Sequence, residues 1–256
     1  MTPALDGSAI NPFTMAVAFF VCGFGNIVND ILDIKIDRVN RPDRVLPSGR
    51  MDIMQARRMA HIFLIISLVL LIWLNTEAII MVIAAIILLL LYNFRLKHRV
   101  FMGNLTIAVL GGAAFLLGGT PAGWSDMVSL PGPLIPAVFA FLMHLGREIL
   151  KDIEDTVGDK KGQSITAPIK LGGRQPLILS HFVFITLIAA SIWVYLEGWF
   201  NWYYLVLTVI GVDLPLIIQI IRVGLRPDPA ACGLAAKMVK LEMLPGLVSL
   251  IIGKNF

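Results

Sequence analysis

Eight long apolar runs, with little chain between them, constrain this protein more than any other feature of its sequence. They lie near residues 12–34, 59–74, 78–94, 101–119, 133–150, 176–196, 202–222 and 241–253. Leu, Ile, Val, Ala and Met dominate them, and most approach the ~20 residues a helix needs to cross a bilayer core. Two of them, 59–74 and 241–253, are short for that purpose. Backbone inside lipid must satisfy its own hydrogen bonds, so the runs predict helices rather than the ~10-residue alternating strands of a barrel. The expected fold class is all-α: a polytopic membrane protein with eight transmembrane helices, in one domain over residues 1–256. At 57% hydrophobic and 15% charged, the chain has too much apolar surface for one water-soluble core. The same composition excludes intrinsic disorder. Cys22 and Cys232 lie far apart, in or beside apolar stretches, and read as small apolar side chains rather than as a disulfide.

The Lys and Arg residues orient these helices. Twenty of the 21 fall around alternate connections, and only Lys254 lies on the other side. The intervening connections, near 75–77, 120–132 and 197–201, contain none. By the positive-inside rule the basic face is cytoplasmic and both termini lie outside. The net charge of +4 is then a matter of topology, and no nucleic-acid partner is expected. The start, MTPALDGSAI, has no basic segment that would make it a signal peptide.

The acids are as unevenly placed as the bases. Ten of 17 lie in two windows with their near neighbour Asp52: Asp30, Asp33, Asp37 and Asp43, then Glu148, Asp152, Glu154, Asp155 and Asp159. Both windows sit at the cytoplasmic ends of apolar runs. Asn29, Asp33 and Asp37 are four apart, so each is offset by only about 40° around a helix. Glu148, Asp152, Asp155 and Asp159 also keep to one face. Like charges at this spacing destabilise a helix unless a cation neutralises them. Oxygen donors without His or Cys suit a hard cation, and Mg²⁺ commonly takes one or two carboxylates plus substrate phosphates. Two such stripes could hold Mg²⁺ on either side of a diphosphate. The competing reading is a solvated face beside the membrane, but such a face usually mixes signs and accepts Glu as readily as Asp.

Basic residues interleave with the acids. Arg38, Arg41 and Arg44 follow the first stripe, in a loop stiffened by Pro42 and Pro47. Lys97 follows the third apolar run, and Lys151 and Lys160 flank the second stripe. Arg and Lys donate well to phosphate oxygens. Positive-inside topology alone accounts for Arg57, Arg58 and Arg174. The four histidines are scattered and form no ligand pattern.

The strings NDILDIKIDRVNRPDRVLPSGR and KDIEDTVGDKKGQSITAPIKLG resemble the two Asp motifs of the UbiA superfamily of intramembrane prenyltransferases, N-D-x-x-D-x-x-x-D and D-x-x-D-x-x-x-D. Between them, YNFRLKHRVFMGNLTIAVLGG resembles the segment around that family's Tyr and Lys. Together the three cover most of residues 25–175, in the family's order. The resemblance implies nine helices around a cavity open to lipid, with cytoplasmic cap loops, here about 35–58 and 151–175. One helix normally precedes the first Asp motif, so the chain reads as one helix short at its N-terminal end. The activity implied is Mg²⁺-dependent transfer of an isoprenyl chain from its allylic diphosphate to a lipophilic acceptor, at the cytoplasmic side of the cell membrane.

The resemblance also implies roles for single residues. Asn29, Asp33, Asp37, Asp155 and Asp159 match metal–diphosphate positions, with Asp30 and Asp152 as adjacent motif acids. Arg41, Arg44, Lys97 and Lys151 fall on phosphate. Tyr92 falls near the site of ionisation, where a ring face can stabilise a developing cation; as an alternative it is an interfacial aromatic. Quinone-type members commonly carry Y-P-x-x-K-R in the middle motif. Here YNFRLK more closely resembles members that prenylate geranylgeranylglyceryl phosphate in ether-lipid synthesis. Aromatic acceptors of quinone or chlorophyll type remain the alternative. From other classes, a CDP-alcohol phosphotransferase would need a D-G-x-x-A-R run that is missing. A divalent-cation transporter would place its acids near the midplane. Asp213 is a lone acid within an apolar run, without a partner legible in the sequence.

Overall fold

The computed structural model describes residues 11–97, 99–161 and 165–255. Its long helices are α1 (Pro12–Leu32), α3 (Ile53–Leu70), α4 (Thr76–Leu91), α5 (Met102–Gly119), α6 (Leu134–Glu154), α9 (Arg174–Leu196) and α12 (Pro229–Ile252). α10 (Trp202–Thr208) and α11 (Leu214–Leu225) join through a π-helical turn at Val209–Asp213 into one more rod. Short helices α2 (Ile34–Asn40), α7 (Thr156–Lys161) and α8 (Ala167–Leu171) sit at the ends of α1 and α6. The all-α expectation holds, and each of the eight apolar runs lies in one of these rods.

Among the described residues, six rods are long and apolar enough to cross a membrane: Pro12–Leu32, Ile53–Trp73, Thr76–Leu96, Met102–Ala122, Arg174–Leu196 and Trp202–Leu225. The other two, α6 and α12, carry charges within their length. The two segments expected to be short are corrected here. α3 starts at Ile53, where the Asp52 side chain accepts from Met54 N and Gln55 completes a reciprocal cap. α12 starts at Pro229, capped by Asp228, so Lys237 and Lys240 lie inside a helix rather than in a connection. A lysine ends an apolar run, but it does not end a helix.

The bundle has two packed halves. α1, α3 and α4 bury Val17, Val21, Phe24, Ala60, Val82 and Ile86 together. α6, α9, α11 and α12 bury Met143, Leu150, Phe184, Leu187, Leu216 and Val239. α5 lies between them and packs closely on α6: a Cβ on Gly112 would sit 2.8 Å from the Ala137 carbonyl oxygen. On α12, Gly233 makes room for Glu154 of α6 in the same way. Large apolar side chains such as Phe19, Ile72, Phe182, Leu196 and Leu225 point outward, as lipid contact requires and water does not favour.

Candidate active site

The first acid stripe is built by backbone continuity. Asp33 ends α1 and opens α2, yet the i→i−4 ladder runs on through the break. Asp33 N donates to Asn29 O at 2.9 Å, Asp37 N to Asp33 O at 2.8 Å, and Arg41 N to Asp37 O at 2.7 Å. Asn29, Asp33, Asp37 and Arg41 are therefore stacked on one face. The second stripe repeats the device: Asp155 N donates to Lys151 O at 2.9 Å and Asp159 N to Asp155 O at 3.0 Å. The two stripes face each other because α2 packs on α7. Asn40 Nδ2 reaches the Asp155 carbonyl oxygen at 3.3 Å across that contact.

The third wall comes from the α4–α5 connection. A π-helical turn over Tyr92–Leu96 closes with Lys97 N donating to Tyr92 O at 3.0 Å. Phe101 then takes a left-handed conformation, φ 59°, which a bulky side chain adopts only at a cost of about 1–2 kcal/mol. That reversal lays Gly103 against Lys97: a Cβ on Gly103 would lie 3.2 Å from the Lys97 Cα. A side chain there would press on the backbone that aims the lysine.

These walls enclose a small polar cavity of about 70 Å³. Asn29, Asp33, Asp37, Arg41, Arg44, Tyr92, Lys97, Lys151, Asp152, Asp155 and Asp159 all line it. Asp30 does not. Its side chain is about half exposed and accepts from Arg44 at 3.1 Å. Arg44 also reaches Asp37 at 2.7 Å. Arg41 Nη2 donates to both oxygens of Asp155, at 3.0 and 2.9 Å. Lys97 Nζ donates to Asn29 Oδ1 at 2.9 Å and is ion-paired with Asp33. Glu148 of the second acid stripe lines it too, and so do Asn104 and Thr166, which were not among the sequence candidates. Glu148 is paired with Arg147 and with Lys151 at 3.5 Å. Asn104 donates to Asp152 Oδ2 at 2.9 Å. Thr166 is buried beside Asp159, whose charged form its hydroxyl favours. A signal for Asn104 existed: it is a buried polar residue near the start of an otherwise apolar run.

The electrostatics follow from burial. Burial lowers the Lys97 ammonium to about 8, and the charge of Lys151 adds to the effect. Burial also raises Asp159 to about 6, reinforced by the Asp155 carboxylate. Asp155 is raised by burial against the opposing pull of Arg41. No group of three or more His, Cys, Asp or Glu side chains among the described residues is gathered closely enough to hold a metal by itself. The donor set still fits Mg²⁺, which needs only one or two carboxylates when phosphate oxygens complete its shell. Each acid stripe offers that number, beside cations that a phosphate could take over.

A second cavity of about 250 Å³ is almost wholly apolar. Phe139, Ala140, Met143 and His144 of α6 line it, facing Leu187, Val212, Met243 and Leu247. α6 thus serves the apolar cavity with its first half and the polar one with its second. Asp213, in the π-helical turn beside this cavity, is 3% exposed, and its partner is the Ser191 hydroxyl, at 3.1 and 3.2 Å.

Comparison with known proteins gives consistent results. Residues 4–241 match the UbiA prenyltransferase family. A digeranylgeranylglyceryl phosphate synthase of Methanococcus maripaludis is 34% identical over 240 residues, covering 94% of this chain and 84% of that protein. A solved structure concerned with digeranylgeranylglyceryl phosphate synthase in membranes superposes with a TM-score of 0.72 at 36% identity, over 94% of this chain and 84% of the other. A homologue from Archaeoglobus fulgidus, solved with GPP and Mg²⁺, shares the fold: its TM-score is 0.66 at 17% identity, over 97% and 94% of the two chains.

Proposed function

Because the chain belongs to the UbiA prenyltransferase family, we propose that it transfers a geranylgeranyl group from its diphosphate to geranylgeranylglyceryl phosphate, with Mg²⁺ as the metal. The carrying observation is the pair of acid stripes that face each other across one cation-lined cavity, with α6 also lining a separate apolar one. Asn29, Asp33 and Asp37 on one side and Asp152, Asp155 and Asp159 on the other would hold the metal, with Asp30 outside the cavity keeping Arg44 in place. Bound Mg²⁺ would act as a Lewis acid, neutralising charge on the diphosphate.

The remaining work falls to the chain itself. Lys97, Arg44, Arg41 and Lys151 each have a carboxylate partner in the structure. Phosphate oxygens would take the place of those carboxylates, so the cations meet the charge that builds up as the allylic C–O bond breaks. Preorganised cations of this kind need little rearrangement at the moment of ionisation. The Tyr92 ring faces the same cavity and would stabilise the allylic cation. The apolar cavity would receive prenyl chain and exclude the water that quenches such a cation.

The acceptor rests on the relatives: 34% identity over nearly the whole chain to a synthase named for that product supports a glyceryl phosphate acceptor. The distribution of Lys and Arg supports a cytoplasmic site in a multi-pass membrane protein, with residues 41–52 and α7–α8 as its cap. The test is purified protein with labelled geranylgeranyl diphosphate, Mg²⁺ and either geranylgeranylglyceryl phosphate or an aromatic quinone precursor. Ether product with the first alone is expected. A prenylated aromatic in its place would overturn the acceptor assignment.

A further inference from the structure

His144 sits midway along α6, between the residues of that helix that line the two cavities. It lines the apolar one, and Glu148, one helical turn further on, lines the polar one. Its ring occupies a slot left open by α5: a Cβ on Gly111 would fall 2.2 Å from His144 Cδ2. Its Nδ1 is buried and has no hydrogen-bond partner. The hydroxyls that share the apolar cavity are all engaged. Ser191 donates to Ile188 O at 2.8 Å, Tyr204 to Ser191 O at 3.1 Å, Thr208 to Ser249 Oγ at 2.8 Å and Ser249 to Gly246 O at 2.7 Å. His144 is thus the lining side chain that can change its proton occupancy near neutral pH and that holds an unmet nitrogen.

An allylic cation captured by a hydroxyl yields an ether only when the hydroxyl proton leaves. The carboxylates of the polar cavity are assigned to the metal or, in Glu148, paired with Arg147 and Lys151, so they are poor candidates for that proton. We propose that His144 is the general base that removes it. This rests on the hydroxyl-bearing acceptor argued above. The acceptor oxygen forms its bond to the allylic carbon, and the bond from that carbon to diphosphate oxygen breaks, its electron pair leaving with the diphosphate. The acceptor proton passes to the imidazole, and from there to the departing diphosphate. No oxidant or further reactant is needed.

The test uses His144→Gln and His144→Ala in the full chain, with geranylgeranyl diphosphate, Mg²⁺ and geranylgeranylglyceryl phosphate. Ether product, free prenyl alcohol and diphosphate release are read in parallel, with the melting shift induced by donor as a check on folding. Both variants should lose ether formation by about 10²–10⁴-fold. The diphosphate they still release should appear as prenyl alcohol, because water captures the cation. Imidazole added to His144→Ala should restore part of the ether. A variant that keeps the donor-induced melting shift and forms ether within threefold of the wild-type rate overturns the assignment. Absence of ether from the wild-type protein itself would instead overturn the acceptor reading, and the base assignment with it.

Discussion

Replacing Asn104 by Ala tests whether an amide outside the Asp motifs sets up the metal site. Asn104 is 6% exposed, and its Nδ2 donates to Asp152 Oδ2 at 2.9 Å. It stands at the start of α5, directly after the Phe101 reversal and the Gly103 contact with Lys97, so the backbone that aims it is well braced. A hydrogen bond to a charged group contributes about 1.5–3 kcal/mol. If Asp152 must be ionised and correctly turned to take its share of Mg²⁺, losing that bond should lower kcat/KM for the donor diphosphate by about 10- to 150-fold. Losses of this size are usual when a group that orients a metal ligand is removed. The discriminating assay is donor kinetics across a Mg²⁺ titration. The Mg²⁺ concentration for half-maximal rate should rise, and excess Mg²⁺ should recover part of the activity, because the defect lies in holding the metal. A change below threefold in both quantities, with an unaltered melting temperature, would refute the reasoning. So would a loss of activity indifferent to Mg²⁺, which would assign Asn104 a direct contact with substrate.

Two further outcomes follow from the same geometry. Asp159 is held at about 6 by burial and Asp155, so below that pH a metal must displace a proton to reach the carboxylate. Mg²⁺ affinity measured with donor bound should fall as the pH drops through about 6; a level profile down to pH 5 would contradict this, and Asp159→Asn should weaken the dependence. On α5, Gly112→Val should destabilise by about 1–3 kcal/mol, since its Cβ would meet the Ala137 carbonyl at 2.8 Å, whereas Gly118→Val on the same helix meets nothing within 4 Å. Thermal melting in detergent should separate the two, and equal melting temperatures would mean that α5 and α6 are not pressed together there.

Much of the site could be read from residue order because its geometry is local. Residues four apart on a helix share a face whatever else the chain does, so Asn29, Asp33 and Asp37 announce a stripe before any packing is known, and so do Asp155 and Asp159. The apolar runs behave likewise: a backbone in lipid has few ways to satisfy itself, so hydropathy alone predicts rods. The errors arose where locality failed. The short reading of 241–253 treated Lys237 and Lys240 as an end, because an apolar count cannot tell a charged helix turn from a connection. Asp30 carries the right residue type one position from Asn29, yet its side chain does not line the cavity and pairs instead with Arg44, which does.

Sequence by itself therefore determined the class of the molecule, the side on which its charges gather, and the hard-cation character of its two acid windows. It did so because hydropathy and helical period act over a few residues. Only the tertiary structure decided that the windows face each other, that most of their acids have a cation or an amide already in hand, and that Asn104 belongs among them. Those facts depend on contacts between residues far apart in the chain: Asn104 to Asp152, Arg41 to Asp155, and Gly111 opening the slot for His144. No periodicity encodes such pairings. The packing of α5 on α6 and of α2 on α7 makes them.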